Sequence, residues 1–287
     1  MTIFQRWELR VRLWLRLGYG PLLVTDYTGK LVRGLVATCS RTAALILNHD
    51  GLTLPKPLSL SPLLRVEGGR VEAVYPGSWD GRSTEYPVVE SGSTLAFHVG
   101  LGPGLEDVID EVVSCLDKGV NIDFSMHTLR VELVDARRVA TYDPGGKPII
   151  RLRDATSVKI TLMAPTLPVN PWRPGSRWKR LLPAPSYLLY VNALELAEGD
   201  HRRALEMVEA AERTLSPSPA TWRTTRLRYY IHSGRLLPAL VGYTKLYVED
   251  ATPEDTETTE HLLSHAAVMG MGASRAAGFG TTRIETR

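Results

Sequence analysis

The segment Gly270-Met271-Gly272-Ala273-Ser274-Arg275-Ala276-Ala277-Gly278-Phe279-Gly280 constrains this chain more than any other stretch. Two Gly-x-Gly pairs stand five residues apart, with Ser274 and Arg275 inside the gap. Glycine turns a backbone through positive φ and lets a second backbone or a phosphate approach N–H groups. Before the segment, Leu262, Leu263, Ala266, Ala267 and Met269 recur at helical spacing; after it, residues 278–286 read as a final strand. A dinucleotide fingerprint needs the opposite order, strand first and helix second. The segment is therefore a ligand-facing loop or a tight helix-to-strand connection, and a Rossmann site is disfavoured.

Upstream, Leu9, Val11, Leu13, Leu15 and Leu17 alternate with Arg10, Arg12 and Arg16, the period of a half-buried strand. Thr28-Gly29 leads into a helix over 31–48, with Leu35, Val36, Ala43, Ala44 and Leu47 as its buried set. His49-Asp50-Gly51 ends it. Extended segments follow at 56–63, 70–75 and 94–101, separated by a Gly-, Pro- and Ser-rich surface excursion at 76–93. An amphipathic helix over 106–118 stops at Gly119, and strands at 122–124 and 129–134 complete the unit. Strand, helix, strand pair, helix, strand is the ferredoxin-like order.

Asp143-Pro144-Gly145-Gly146 makes a linker, so the first unit spans 1–141 and the second 142–287. The second begins with a strand at 149–163 and a proline-rich stretch at 165–185. Helices at 187–197 and 204–215 come next, then a strand pair or one bent strand at 235–248, then the last helix, the glycines and the final strand. The expected fold is α+β: two tandem ferredoxin-like (RRM-like) domains.

With 287 residues, 44% of them hydrophobic, the chain has room for two cores. A net charge of +3 neither argues for nor excludes a polyanionic partner. Cys39 and Cys115 read as buried filler, which leaves no disulfide framework and fits a reducing cytoplasm. No apolar run approaches the about 18 residues of a membrane span.

Six segments, in order, resemble the CRISPR-associated endoribonucleases of the RAMP superfamily that cut CRISPR repeat transcripts into guide RNAs. Leu31-Val32-Arg33-Gly34-Leu35 resembles the helix-opening arginine-glycine motif, and Leu47-Asn48-His49-Asp50 the Leu-His-Asp segment after that helix. Residues 56–63 resemble the Lys-Pro-aromatic-x-x-Ser-Pro-Leu strand, with Leu58 in place of the aromatic. Ala164-Pro165-Thr166 is similar to the Ser-Pro-Thr strand end. Ser233-Gly234-Arg235 with Leu240-Val241-Gly242-Tyr243 is similar to the Gly-Phe-Val-Gly strand, without its phenylalanine. Residues 270–280 match the glycine-rich signature, the most specific of the six. The resemblance implies RNA against one face and the cleft between two ferredoxin-like domains. It also implies metal-independent cleavage at the base of the repeat hairpin, leaving a 2′,3′-cyclic phosphate and a 5′-hydroxyl, with no cofactor.

That reaction needs a group to take the ribose 2′-OH proton, a donor for the leaving 5′-oxygen, and positive charge near the phosphorane. An imidazole suits either proton transfer near neutrality. By the resemblance, His49 stands where the catalytic histidine falls and Lys56 where the catalytic lysine falls; a lysine stabilises developing phosphate charge. Some members complete a triad with a tyrosine on the first helix. Here that position is Ala37, and Tyr27 from the preceding turn is the substitute. His98, His127, His201 and His232 are isolated and read as structural or solvated. His261 and His265 have a metal-compatible spacing, but Leu262 stands where a zinc-protease glutamate would be, so no metal is expected.

For RNA binding, Arg173, Arg177, Lys179 and Arg180 with Trp172 and Trp178 form a basic loop laced with aromatics, suited to phosphates and stacked bases. Arg223, Arg226 and Arg228 with Trp222 and Tyr229 form a second set, which reads first as a solvated surface with arginine–aromatic packing and only second as an RNA contact. Gly270, Gly272, Ser274, Arg275, Gly278 and Gly280 supply the third. The partners expected are CRISPR repeat RNA, other CRISPR-associated subunits and a second copy of the chain, with no membrane. A RAMP relative that binds guide RNA without cutting is the alternative. A small-molecule enzyme using the glycines for a phosphorylated cofactor lacks both a strand-first phosphate loop and an acidic cluster.

Overall fold

A computed structural model describes residues 2–15, 20–49, 55–174, 181–232 and 234–287. The period-two pattern becomes β1, Phe4–Leu15, with Leu9, Val11 and Leu13 buried. A short β2, Leu22–Leu23, precedes the first helical stretch, which is two helices and not one: α1, Gly29–Cys39, and α2, Arg41–Asn48. The break is at Ser40, whose extended backbone and side chain cap α2 through Ala43 N. The apolar pattern runs through this junction, so periodicity alone reads it as continuous.

The first half continues with β3, Leu58–Leu60, β4, Leu64–Glu67, and β5, Arg70–Ala73, then β6, Gly77–Ser78, and β7, Val88–Val89. It closes with β8, Thr94–Leu101, α3, Glu106–Asp117, β9, Val120–Phe124, and β10, His127–Tyr142. Its sheet runs β5-β4-β8-β1-β10-β9, all antiparallel, with β3 also on β8. The core of β10-β1-β8-β4 is the ferredoxin-like arrangement. Leu31, Val32, Leu35 and Val36 of α1 share one core with Val108, Val112 and Leu116 of α3. Each such side chain contributes about 1.5–3 kcal/mol on burial.

In the second half, β11, Ser157–Thr166, leads to α4, Pro185–Leu196, and α5, His201–Thr214. Then come β12, Leu215–Pro217, the single-turn α6, Thr221–Thr224, and the hairpin of β13, Thr225–His232, and β14, Arg235–Val248. Helix α7, Pro253–Met269, and β15, Thr282–Thr286, finish it. The sheet order β15-β11-β14-β13 repeats the ferredoxin-like arrangement of the first half. Both halves thus carry the α+β architecture expected.

Three readings are corrected. The excursion after β5 is not all surface: Gly77 and Ser78 pair with Tyr230 and Tyr229, so β6 from the first half extends the second sheet. The second arginine set is not one surface loop: Arg223 is on α6, and Arg226 and Arg228 lie on β13, a strand that the polar residues disguise. Cys39 and Cys115 are joined in a disulfide with Cα atoms 5.5 Å apart, because α1 and α3 lie side by side on the first sheet. Among the described residues no helix is long and apolar enough to cross a membrane.

A buried arginine ties the halves together. Arg6 on β1 donates to Ala267 O (2.8 Å) and Thr282 O (2.7 Å) of the second half and hydrogen-bonds His98 Nδ1 on β8 (2.7 Å). Burial lowers its pKa to about 10.

Candidate RNA-processing cleft

The glycine segment is built against protein. Gly278 has φ +98°, and a Cβ there would lie 2.7 Å from Gly29 Cα at the start of α1. Gly280 has φ +76°, and a Cβ would overlap the Met271 carbonyl. Met271 N donates to Gly280 O, Gly272 N to Leu188 O, Ala273 N to Leu167 O and Gly280 N to Pro165 O. Positive φ and these close approaches explain why glycine is required. The tip is different: Ser274 is exposed at φ 60°, and Ala273, Ala276 and Ala277 are half-buried.

Arg275 sits inside this turn at 4% exposure, its guanidinium paired with Glu195 of α4. Burial pushes the Glu195 carboxyl up, and Arg275 opposes that. Asn192 Nδ2 bonds Gly270 O (2.8 Å) and His265 Nδ1 (2.9 Å), and Glu195 approaches His265 Nε2 at 3.5 Å. Burial first, then Arg275, keeps His265 well below its ordinary value, so the ring is neutral. His261 instead hydrogen-bonds Tyr142 OH, so the two histidines of α7 serve different partners. Among the described residues no group of three His, Cys, Asp or Glu could hold a metal ion.

Tyr27 is fully buried, stacked on Phe279 at 4.6 Å and edge-on to Tyr75, with its hydroxyl donating to Gly278 O. Burial pushes the phenol well above its ordinary value. It holds the glycine segment against α1 and does not face solvent.

The cations gather at the other edge of α1. Lys30 pairs with Asp26 at 2.6 Å. One turn on, Arg33 donates to the Leu47 carbonyl at 2.6 Å, and Lys56 donates to the same oxygen at 2.6 Å. Two side chains from separate elements thereby fix the end of α2, where the macrodipole is negative. His49 is two residues further on and exposed. Residues 50–54 lie outside the described residues.

Arg33 and Lys56 line a cavity of about 670 Å³ whose opposite walls come from the second half: Tyr190, His201, Ser274 and Arg275. The cleft therefore brings together Lys56, Ser274 and Arg275 of the residues expected from sequence, with His49 following the carbonyl that two of its cations hold. Of the basic loop, exposed Arg173 stands beside Pro174, which also lines the cavity. Arg177, Lys179 and Arg180 lie outside the described residues. Arg228 of the second arginine set is spent inside the protein, 3.0 Å from Glu85 and over the rings of Tyr75 and Trp79.

Sequence reasoning missed His201. Its Nδ1 lies 2.8 Å from Tyr190 OH, with the rings edge-on. Nothing in the chain order announces that a histidine opening α5 meets a tyrosine of α4 at the mouth of a cleft.

Structural similarity runs the length of the chain. A Cas6 product complex superposes with a TM-score of 0.63 at 16% identity, covering 99% of this chain and 100% of the other. Thermus thermophilus Cas6 gives 0.59 at 16% identity, over 99% of both chains. A RAMP protein binding different RNA substrates gives 0.56 at 11% identity, over 98% of this chain and 99% of its own. No protein-family model matches the chain, and no curated protein matches it by sequence. From β1 to β15, this chain has the tandem ferredoxin-like fold of the Cas6 and RAMP structures.

Proposed function

We propose that this protein is a metal-independent endoribonuclease that cuts CRISPR repeat RNA to release guide RNAs. The observation that carries this reading is the corner at Leu47. Arg33 and Lys56, both lining the inter-domain cavity, grip one carbonyl oxygen and set the exposed His49 just beyond it. His49 takes the proton of the ribose 2′-OH. O2′ attacks phosphorus, the P–O5′ bond breaks, O5′ takes up a proton from a donor in the cleft, and a 2′,3′-cyclic phosphate and a 5′-hydroxyl result. The Lys56 ammonium, held at the cavity wall by Leu47 O, supplies positive charge against the charge that develops on the phosphorane. Tyr27 acts by positioning: it clamps the glycine segment and exchanges no proton with RNA. Ser274 and the tip of that segment form the wall against which the RNA backbone lies.

One observation favours a second reading, a RAMP-type subunit that holds guide RNA without cutting it. With Tyr27 buried, the third catalytic position that some relatives fill from the first helix is empty of a hydroxyl. The two readings separate in one experiment. Repeat RNA incubated with the protein in EDTA is cut at the base of its hairpin under the first reading, and a 2′-deoxy substitution at the scissile nucleotide abolishes the cut. Tight binding with intact RNA supports the second, and cleavage that needs added magnesium overturns the metal-free mechanism.

A further inference from the structure

In-line displacement by a 2′-OH moves two protons: one leaves O2′ and another must reach O5′. The corner at Leu47 supplies an imidazole for the first. A lysine that stabilises the phosphorane by its charge would lose that charge by giving its proton to O5′, so a separate donor serves the second transfer better. The cleft contains a better candidate on the opposite wall.

His201 is the first residue of α5. Asp200 before it accepts from Arg202 N (2.9 Å) and Arg203 N (3.1 Å), so the helix start is pinned by its own cap. The imidazole is exposed to the cleft and borders the same cavity as Arg33 and Lys56. Its orientation is fixed from behind: Nδ1 meets Tyr190 OH at 2.8 Å and the two rings stand at 85°. Among the described residues Nε2 has no hydrogen-bond partner. A proton-transfer group held by a third residue, with its other nitrogen turned to a cavity, is the arrangement acid–base catalysis requires. Tyr190 is suited to the holding role because a hydroxyl accepts from Nδ1–H of an imidazolium and equally from the neutral ring that remains. Burial raises the Tyr190 pKa, so the phenol keeps its proton throughout.

We infer that His201 is the general acid of the cleft: its Nε2–H protonates the leaving O5′ while His49 accepts the O2′ proton, and Tyr190 positions the ring. This rests on the nuclease reading above. Atoms balance: P–O2′ forms, P–O5′ breaks, His49 gains one proton and His201 loses one, and exchange with water restores both. The two imidazoles come from different halves of the molecule, so chemistry is complete only with the cleft assembled.

A substrate with sulfur replacing the bridging 5′-oxygen tests it, because a thiolate departs without a proton. On ordinary repeat RNA in EDTA, His201→Ala lowers the single-turnover cleavage rate by roughly 100-fold or more. On the sulfur-bridged RNA the same variant cuts within about 3-fold of wild type, whereas His49→Ala stays impaired on both. Tyr190→Phe shows a smaller loss of about 10-fold, also repaired by sulfur. RNA affinity and melting temperature stay at wild-type values in each variant. His201→Gln provides a second variant should the alanine weaken the α5 start. A His201→Ala rate within 3-fold of wild type on ordinary RNA overturns the inference. So does a loss that persists with the sulfur substrate. Wild-type protein that binds but does not cut sinks the nuclease reading first, and the inference falls with it.

Discussion

Arg33 on α1 and Arg275 in the glycine segment border one cavity from its two sides, and they are used in opposite ways. Arg33 is half-buried and spends one nitrogen on a backbone carbonyl at the cleft wall. Arg275 is 4% exposed and committed to a buried carboxylate. The same contrast separates the two regions they belong to. The corner of α1, α2 and Lys56 presents charge and an exposed imidazole, whereas the glycine segment has its backbone packed on α1, α4 and β11. The most specific stretch of the sequence is therefore largely a joint, and the proposed chemistry falls on residues that look ordinary in one dimension. A joint and a site respond differently to substitution.

The largest separation comes from His49→Ala. Removing a proton-transfer group costs about 10²–10⁴-fold in rate. Cleavage of repeat RNA falls by that factor in single-turnover assays while the binding isotherm keeps its midpoint. Cleavage at the wild-type rate would show that the corner at Leu47 is also only structural.

Next is Arg275→Met, which leaves Glu195 in an apolar setting without its partner. Breaking a buried ion pair from one side costs about 3–5 kcal/mol. The denaturant midpoint drops accordingly, and Glu195→Gln added to Arg275→Met restores most of it. A variant as stable as wild type would mean that the guanidinium does not anchor the turn.

Third is a pH effect at the other joint, where Arg6 meets His98. Burial and then Arg6 hold the His98 imidazole at about 4, with Glu8 pulling the opposite way and Arg137 adding slightly to the lowering. In the unfolded chain it titrates near 6.5, so between pH 6.5 and 4 the unfolded state binds more protons. Stability is therefore full above pH 6.5 and falls through that window by on the order of 3 kcal/mol. Glu8, held at about 2 mainly by its bond to His98, adds loss of the same sign only below about pH 4.5. His98→Gln flattens the upper part of the acid limb in urea titrations between pH 7 and 4; an unchanged limb would remove His98 from the account.

Much of the scaffold was readable from periodicity. Leu9, Val11 and Leu13 against Arg10 and Arg12 define β1, and residues 94–101 are a strand with the bounds expected. What failed did so for physical reasons. Ser40 breaks a helix whose apolar stripe does not change phase, and only the cap shows it. Strand β13 is masked because Arg228 reads as surface yet lies between two rings of the first half. The Cys39–Cys115 link spans 76 residues and depends on α1 and α3 packing, which no local pattern reports. The site divides likewise. His49 and Lys56 are singled out by the resemblance of residues 47–50 and 56–63 to family motifs, not by any local pattern of their own. His201 gains meaning only from Tyr190 on the neighbouring helix and from Lys56 in the other half.

The smallest effect bears on the arginines themselves. Arg173 and Arg275 both read as RNA contacts, but one is exposed beside the cavity and the other is enclosed. Each phosphate contact on single-stranded RNA contributes about 0.7 to the slope of log K against log salt concentration. Arg173→Ala should lower that slope by about this amount and weaken binding evenly across sequences. Arg275→Met, assayed below its own unfolding range, should leave the slope unchanged, because its charge is neutralised by Glu195 before any RNA arrives. Equal slopes for Arg173→Ala and wild type would move the phosphate track away from this loop. A reduced slope for Arg275→Met would mean that the glycine segment opens on binding, exchanging Glu195 for a phosphate, and the line drawn here between joint and site would have to be redrawn.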